Sequence, residues 1–193
     1  MNGTQDKGNK VTSLTNKHNI LILWLFIFIL VILEIYSIYA KSEFKFDSLI
    51  MMAILLIVYL YEDKIKLTNL GFSLLGILFI LHNLGAFGFY NLSFIGIGYD
   101  KYIHFFAGIV LAVMSSDMLK NKYPKLRIIG ISLVTIIALG VIHEAFENLG
   151  TAFFGQGEGA FFFGPGDIGR HDSLKDIGAS ILGAIITLIF KKH

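Results

Sequence analysis

A few short stretches carry most of the side chains in this sequence that are able to do chemistry. "GVIHEAFENLG" (residues 140–150) sets His143, Glu144 and Glu147 among Ile, Val, Leu, Gly and Ala. "GYDKYIH" places Asp100 and His104 four residues apart, and "HDSLKDIG" does the same for Asp172 and Asp176, directly after His171. "LHNLG" adds His82. Residues three or four apart share one face of a helix. Imidazole and carboxylate are the usual ligands of a divalent metal where no thiolate is present. A carboxylate left over beside such a metal takes a proton from its bound water. There is no Cys, which excludes disulfides, thiolate ligands and cysteine nucleophiles.

The elements that must position these residues are membrane helices. Hydrophobic residues make up 55% of the 193 and charged residues 16%, with a mean hydropathy of +0.70; a soluble domain is closer to a quarter charged. The net charge of +2 is too small to point to a nucleic-acid partner. Six segments have continuous apolar character rather than strand-like alternation: roughly 19–40, 46–62, 68–86, 101–119, 126–149 and 173–190. The last reaches crossing length when it starts near Asp172. Glu34 breaks the flank where a signal-peptidase site would fall, so the first segment reads as an anchor. The expected fold is all-α, a polytopic membrane helical bundle of six transmembrane helices. Residues 1–18 form a polar cytoplasmic tail, and 19–193 form the membrane domain, with a Gly/Phe-rich extracytoplasmic loop at 150–171.

Orientation follows from the basic residues. With the N-terminus inside, eleven of the 16 Lys and Arg lie on the cytoplasmic side and five (Lys41, Lys45, Lys101, Arg170 and Lys175) on the other. Both termini are therefore expected to be cytoplasmic, as an even number of spans requires. This topology collects Glu34, His82, Asp100, His104, His143, Glu144, Glu147, Asp172 and Asp176 in the outer part of the bilayer. The inner half has little comparable beyond Asp117. Ionisable groups in a hydrocarbon layer face the bundle interior or a water-filled cavity and find partners there. Several carboxylates together need protons, basic partners or a cation.

A simpler explanation covers some of these residues. Asp100, Asp172 and Asp176 stand at helix N-termini, where a carboxylate is favourable without any function. Glu34 has an equal claim as an interfacial residue. Glu144 and Glu147 lie toward a helix C-terminus, where the dipole disfavours them, so they call for another reason. The linker "TAFFGQGEGAFFFGPGDIGRHD" and the stretch "FGFYNLSFIGIGYD" (87–100) read as a substrate lid or as an interfacial aromatic belt. Neither contains a phosphate loop. Gly178, Ala179, Ser180, Gly183 and Ala184 suit close helix packing and are expected to bring Asp172 and Asp176 toward the fifth helix.

"YDKYIHFFAG", "HEAFE" and "HDSLKDIGASILGA" together resemble the three signatures of the YjdF-like inner-membrane proteins. The resemblance implies about six membrane helices in the inner membrane, and family positions at Asp100, His104, Glu144, Glu147, Asp172 and Asp176. It brings no established activity. A fainter similarity is to the VanZ-like membrane proteins.

The chemistry expected from the residues is that of a metal-dependent membrane hydrolase acting on a lipid or other amphipathic substrate at the outer leaflet. His82, Asp100, His104, His143, Glu144 and Asp172 are the candidate ligands of a divalent ion, zinc first. Glu147 and Asp176 are the candidate bases, and Glu34 and His171 accessory residues. "HEAFE" lacks the second imidazole of the zinc-protease signature H-E-x-x-H. The alternatives are a proton- or cation-coupled transporter or channel, and a non-catalytic accessory protein with a structural cation. The oligomeric state is left open.

Overall fold

The computed structural model of the chain describes residues 4–42, 47–154 and 172–191. Helices α1 (Thr4–Tyr39), α2 (Asp47–Leu60), the single-turn α3 (Glu62–Ile65) and α4 (Asn69–Ala86) come first. A 3-10 turn (Phe89–Asn91) and a small hairpin of β1 (Ser93–Phe94) and β2 (Ile97–Gly98) lead into α5 (Tyr99–Leu119), α6 (Lys125–Phe154) and α7 (Asp172–Phe190). The architecture is an all-α, polytopic membrane bundle.

Among the described residues, four helical stretches are long and apolar enough to cross a membrane: Asn19–Tyr39, Tyr99–Leu119, Lys125–Phe146 and Asp172–Phe190. The second and third expected spans correspond to the shorter apolar helices Asp47–Leu60 and Asn69–Gly85. At 1.5 Å per residue α2 rises about 21 Å, against a hydrocarbon layer of about 30 Å. The first helix also starts earlier than its apolar part, at Thr4. Large apolar side chains cover the outside of the bundle, among them Phe28 (64% exposed), Val134 (69%) and Phe190 (79%). Such a surface is costly in water and ordinary against lipid.

The interior is packed in two parts. Leu23, Phe26 and Leu30 of α1 meet Met51 and Leu55 of α2 and Phe72, Leu75 and Phe79 of α4, with Val110 of α5 joining them. Ala112 of α5, Ile136 of α6 and Ala184 and Leu188 of α7 form the second part. Helix α5 is thus shared between the two.

The closest helix contact is between α5 and α7, which run parallel. A Cβ on Gly108 would overlap the carbonyl of Ser180, and one on Gly183 would overlap the carbonyl of Phe105. Backbones approach this closely only where small residues face each other. The small-residue face of α7 therefore seats on α5, the fourth expected span, while Asp176 still comes within 4.8 Å of Glu144 on the fifth, as the sequence suggested. The reason is complementarity: Gly108 supplies the matching gap on α5, while α7 meets Gly140 of α6 through the Ile177 side chain.

The two ends of the bundle differ in character. At one end Asn19 donates to Glu62 (2.7 Å), and Asp117 accepts from the Thr68 hydroxyl (2.5 Å) and from Lys191 Nζ (2.9 Å). Lys125 Nζ reaches the carbonyl of Ile189 there (3.3 Å). These bonds tie helix ends together and satisfy buried polar groups. The opposite end holds the candidate site.

Candidate functional site

The first turns of α5 and α7 bring three aspartates together. Asp100 lies in the first turn of α5 and Asp172 in that of α7, where a helix N-terminus favours a negative charge. Asp176 follows Asp172 one turn later and is buried at 1% exposure. Ligand atoms of Asp100, Asp172 and Asp176 all lie within 4.8 Å of one another. Three carboxylates at that spacing repel strongly.

Among the described residues, Lys101 supplies compensating charge to all three. Its Nζ lies 2.8 Å from Asp100 Oδ2, 2.5 Å from Asp172 Oδ1 and 2.7 Å from Asp176 Oδ1, and it also donates to Asp176 Oδ2 at 2.8 Å. A single ammonium therefore serves all three aspartates. The count of basic residues along the sequence places Lys101 only among the outer Lys and Arg. Its position beside Asp100 was the available signal, but adjacent helical residues do not face each other, and only the α5–α7 contact makes the grouping visible.

Deeper in the bundle a second set forms on three helices. His104 of α5, Glu144 of α6 and Asp176 of α7 offer ligand atoms that all lie within 4.8 Å of one another. Glu144 is 4% exposed. His104 Nε2 is 3.8 Å from Asp176 Oδ1, longer than a hydrogen bond. The α5–α7 contact fixes the backbone here, because Ser180 Oγ donates to the carbonyl of His104 at 3.0 Å. This is a buried His/Glu/Asp cluster able to coordinate a metal ion, with one nitrogen and two carboxylate donors. Asp176 is common to both sets.

The remaining sequence candidates are distributed around these sets. The His143 ring lies beside that of His104, with centroids 5.6 Å apart. His82 sits on α4, within electrostatic reach of His104 and His143; its Nε2 is 3.7 Å from Asp47 Oδ2, and its Nδ1 is 2.8 Å from the Tyr90 hydroxyl. Glu34 is buried on α1, near Ser48 and Asp47. Ser48 in turn donates to Asn83 Oδ1 at 2.7 Å. Asp47 and Tyr90 were not foreseen. Asp47 falls at the start of a helix, where a capping role would account for it, and Tyr90 falls in a stretch read only as aromatic. The Glu147 side chain, His171 and residues 155–170 of the Gly/Phe-rich loop lie outside what the structure describes.

The segment before α5 is pinned beside the site. Tyr99 donates to the carbonyl of Leu81 (2.9 Å) and Tyr102 to that of Phe94 (3.0 Å). Tyr90 and Phe89 pack against Tyr99. The hairpin turns through Ile95 and Gly96, both at positive φ (54° and 75°), as a two-residue hairpin loop requires.

Comparison with known proteins agrees with this architecture. No solved structure matches the chain. It is 34% identical over 95 residues to "Inner membrane protein YjdF" of Escherichia coli (strain K12), a match covering 48% of this chain and 44% of that protein. The aligned region thus spans less than half the length of this curated relative. The family model described as "Predicted membrane protein (DUF2238)" matches residues 19–192, nearly the whole chain. An all-α membrane bundle whose polar residues gather at one end of α5, α6 and α7 therefore belongs to the family "Predicted membrane protein (DUF2238)".

Proposed function

We propose that this protein is a non-catalytic, cation-binding membrane protein that takes up one divalent ion between His104, Glu144 and Asp176. The observation that carries this reading is the convergence of these three side chains from three different helices. Each is a normal ligand for zinc, which takes imidazole nitrogen at about 2.0–2.1 Å and carboxylate oxygen at about 2.0–2.2 Å. An ion there would tie α5, α6 and α7 to one another.

The hydrolase reading has less support. Asp176, one of the two expected bases, is hydrogen-bonded to Lys101 through Oδ2 and ion-paired with it at Oδ1, which weighs against its taking a proton from a bound water. A transporter is favoured less because the candidate cation ligands gather at one end, whereas alternating-access sites lie near the bilayer midplane. The relative's name, "Inner membrane protein YjdF", supports placing the chain in the inner membrane. The excess of Lys and Arg around one set of helix ends supports cytoplasmic termini and a site in the outer leaflet. In this arrangement α2 and α4 also cross, through a locally thinned bilayer.

The test is calorimetric titration of the purified chain in detergent with zinc and with manganese. Saturable binding of one ion per chain, lost in His104→Ala and in Glu144→Gln, is the expected result. Binding that survives both substitutions contradicts the assignment.

A further inference from the structure

Asp176 belongs to both ligand sets, and both of its oxygens already lie at ion-pair distance from one ammonium, with the hydrogen bond at Oδ2. Lys101 Nζ lies 2.7 Å from Oδ1 and 2.8 Å from Oδ2. The same Oδ1 lies 3.8 Å from His104 Nε2. An ion held by His104, Glu144 and Asp176 would therefore share a carboxylate with an ammonium at close range, where two positive charges repel strongly in a medium less polar than water.

We propose that Lys101 is the resident cation of this end of the bundle, and that a divalent ion loads only by displacing it from Asp176. The proposal rests on the cation-binding reading above and specifies how that site is controlled. Two features support an exchange rather than simple addition. First, the ammonium has somewhere to go: Asp100 and Asp172 hold it at 2.8 and 2.5 Å independently of Asp176. Their side chains are 32% and 28% exposed, and the four-carbon stem of Lys lets the head group shift toward them. Second, the Asp176 side chain is only 2% exposed, and an ionised carboxylate so deeply buried needs a cation beside it at all times. Lys101 meets that need in the empty state and the metal would meet it in the loaded state.

Loading would then exchange one cross-link for another. The α5–α7 ion pair opens at its Asp176 contact, and a clamp that adds α6 through Glu144 replaces it. The close packing of Gly108 against Ser180 and of Gly183 against Phe105 deeper in the bundle holds the two helices together throughout, so the change is confined to their first turns.

The test is equilibrium titration of the full chain in detergent micelles with zinc ions alone, on wild type, Lys101→Met, Lys101→Gln and the double variant Asp100→Asn/Asp172→Asn. Removing the ammonium is expected to tighten binding by about ten-fold or more. The double variant is expected to bind more weakly, because the ammonium loses its alternative seat. That weakening should shrink when Lys101→Met is added to it. Thermal melts verify folding; should Lys101→Met not melt cooperatively, Lys101→Gln and the double variant carry the test. Saturable binding in wild type with equal or weaker binding in both Lys101 variants overturns the displacement and leaves the site standing. No saturable binding in any folded variant overturns the displacement and the site together.

Discussion

Lys101 on α5 and Asp176 on α7 form an ion pair through both carboxylate oxygens, at 2.7 and 2.8 Å, with the Asp176 side chain almost fully buried. Asp176 is also the carboxylate that α7 contributes to the set with His104 and Glu144. One residue thus joins the ion-pair network at the bundle end to the candidate metal centre below it.

Substitution at Asp176 is therefore expected to affect both stability and binding. Breaking a buried pair by removing one partner costs about 3–5 kcal/mol, and Lys101 retains two other carboxylates, which puts Asp176→Asn at the low end of that range. Asp172→Asn removes a partly exposed partner and is expected to cost about 1 kcal/mol or less. Unfolding titrations in mixed micelles measure both, and equal losses for the two variants would contradict the ranking.

The packing of α5 on α7 makes a second claim. Gly108→Ala forces a methyl group into the Ser180 carbonyl, and overpacking of this kind costs about 1–3 kcal/mol. Because Ser180 also holds the backbone at His104, the same change is expected to weaken cation binding although it alters no ligand. Melting temperature and zinc affinity, measured together, should both fall.

Asp117 provides the control at the other end. It is bonded to Thr68 and Lys191 and is 2% exposed. Asp117→Asn is expected to lower stability by about 3 kcal/mol and to leave zinc affinity unchanged. A matching loss of affinity would mean that the two ends are coupled.

His82 provides a further control, close to the site. It is bonded to Tyr90 and lies near Asp47, outside the His104, Glu144 and Asp176 set. Tyr90→Phe should cost about 1 kcal/mol of stability, the usual net worth of one hydrogen bond, with zinc affinity unaltered. A drop in affinity would bring His82 into the metal site.

Much of this arrangement is legible in the sequence. Continuous apolar runs gave the helices, and the alternation of short loops carried Asp100, His104, Glu144, Asp172 and Asp176 to one end. Spacings of four residues were enough for this, because they fix a helix face. Two things were not legible. The length of α2 depends on where Asp47 begins it, and hydropathy alone extends an apolar segment through its flanks. The role of Lys101 depends on the rotation of α5 against α7, which Gly108 and Gly183 set jointly from segments some 75 residues apart. The charge count treated Lys101 as a topological marker, and its three carboxylate partners follow only from that contact. The hairpin before α5 was missed for a related reason: its strands are two residues each, too short for any alternation to register.

The most direct measurement is metal content. Tag-free protein, purified in detergent and exchanged into metal-free buffer after exposure to zinc, would be analysed for elements beside Glu144→Gln. About one ion per chain in the wild type and none in the variant is the expected result. No ion in folded wild-type protein, or the same content in both, would contradict a metal centre at His104, Glu144 and Asp176.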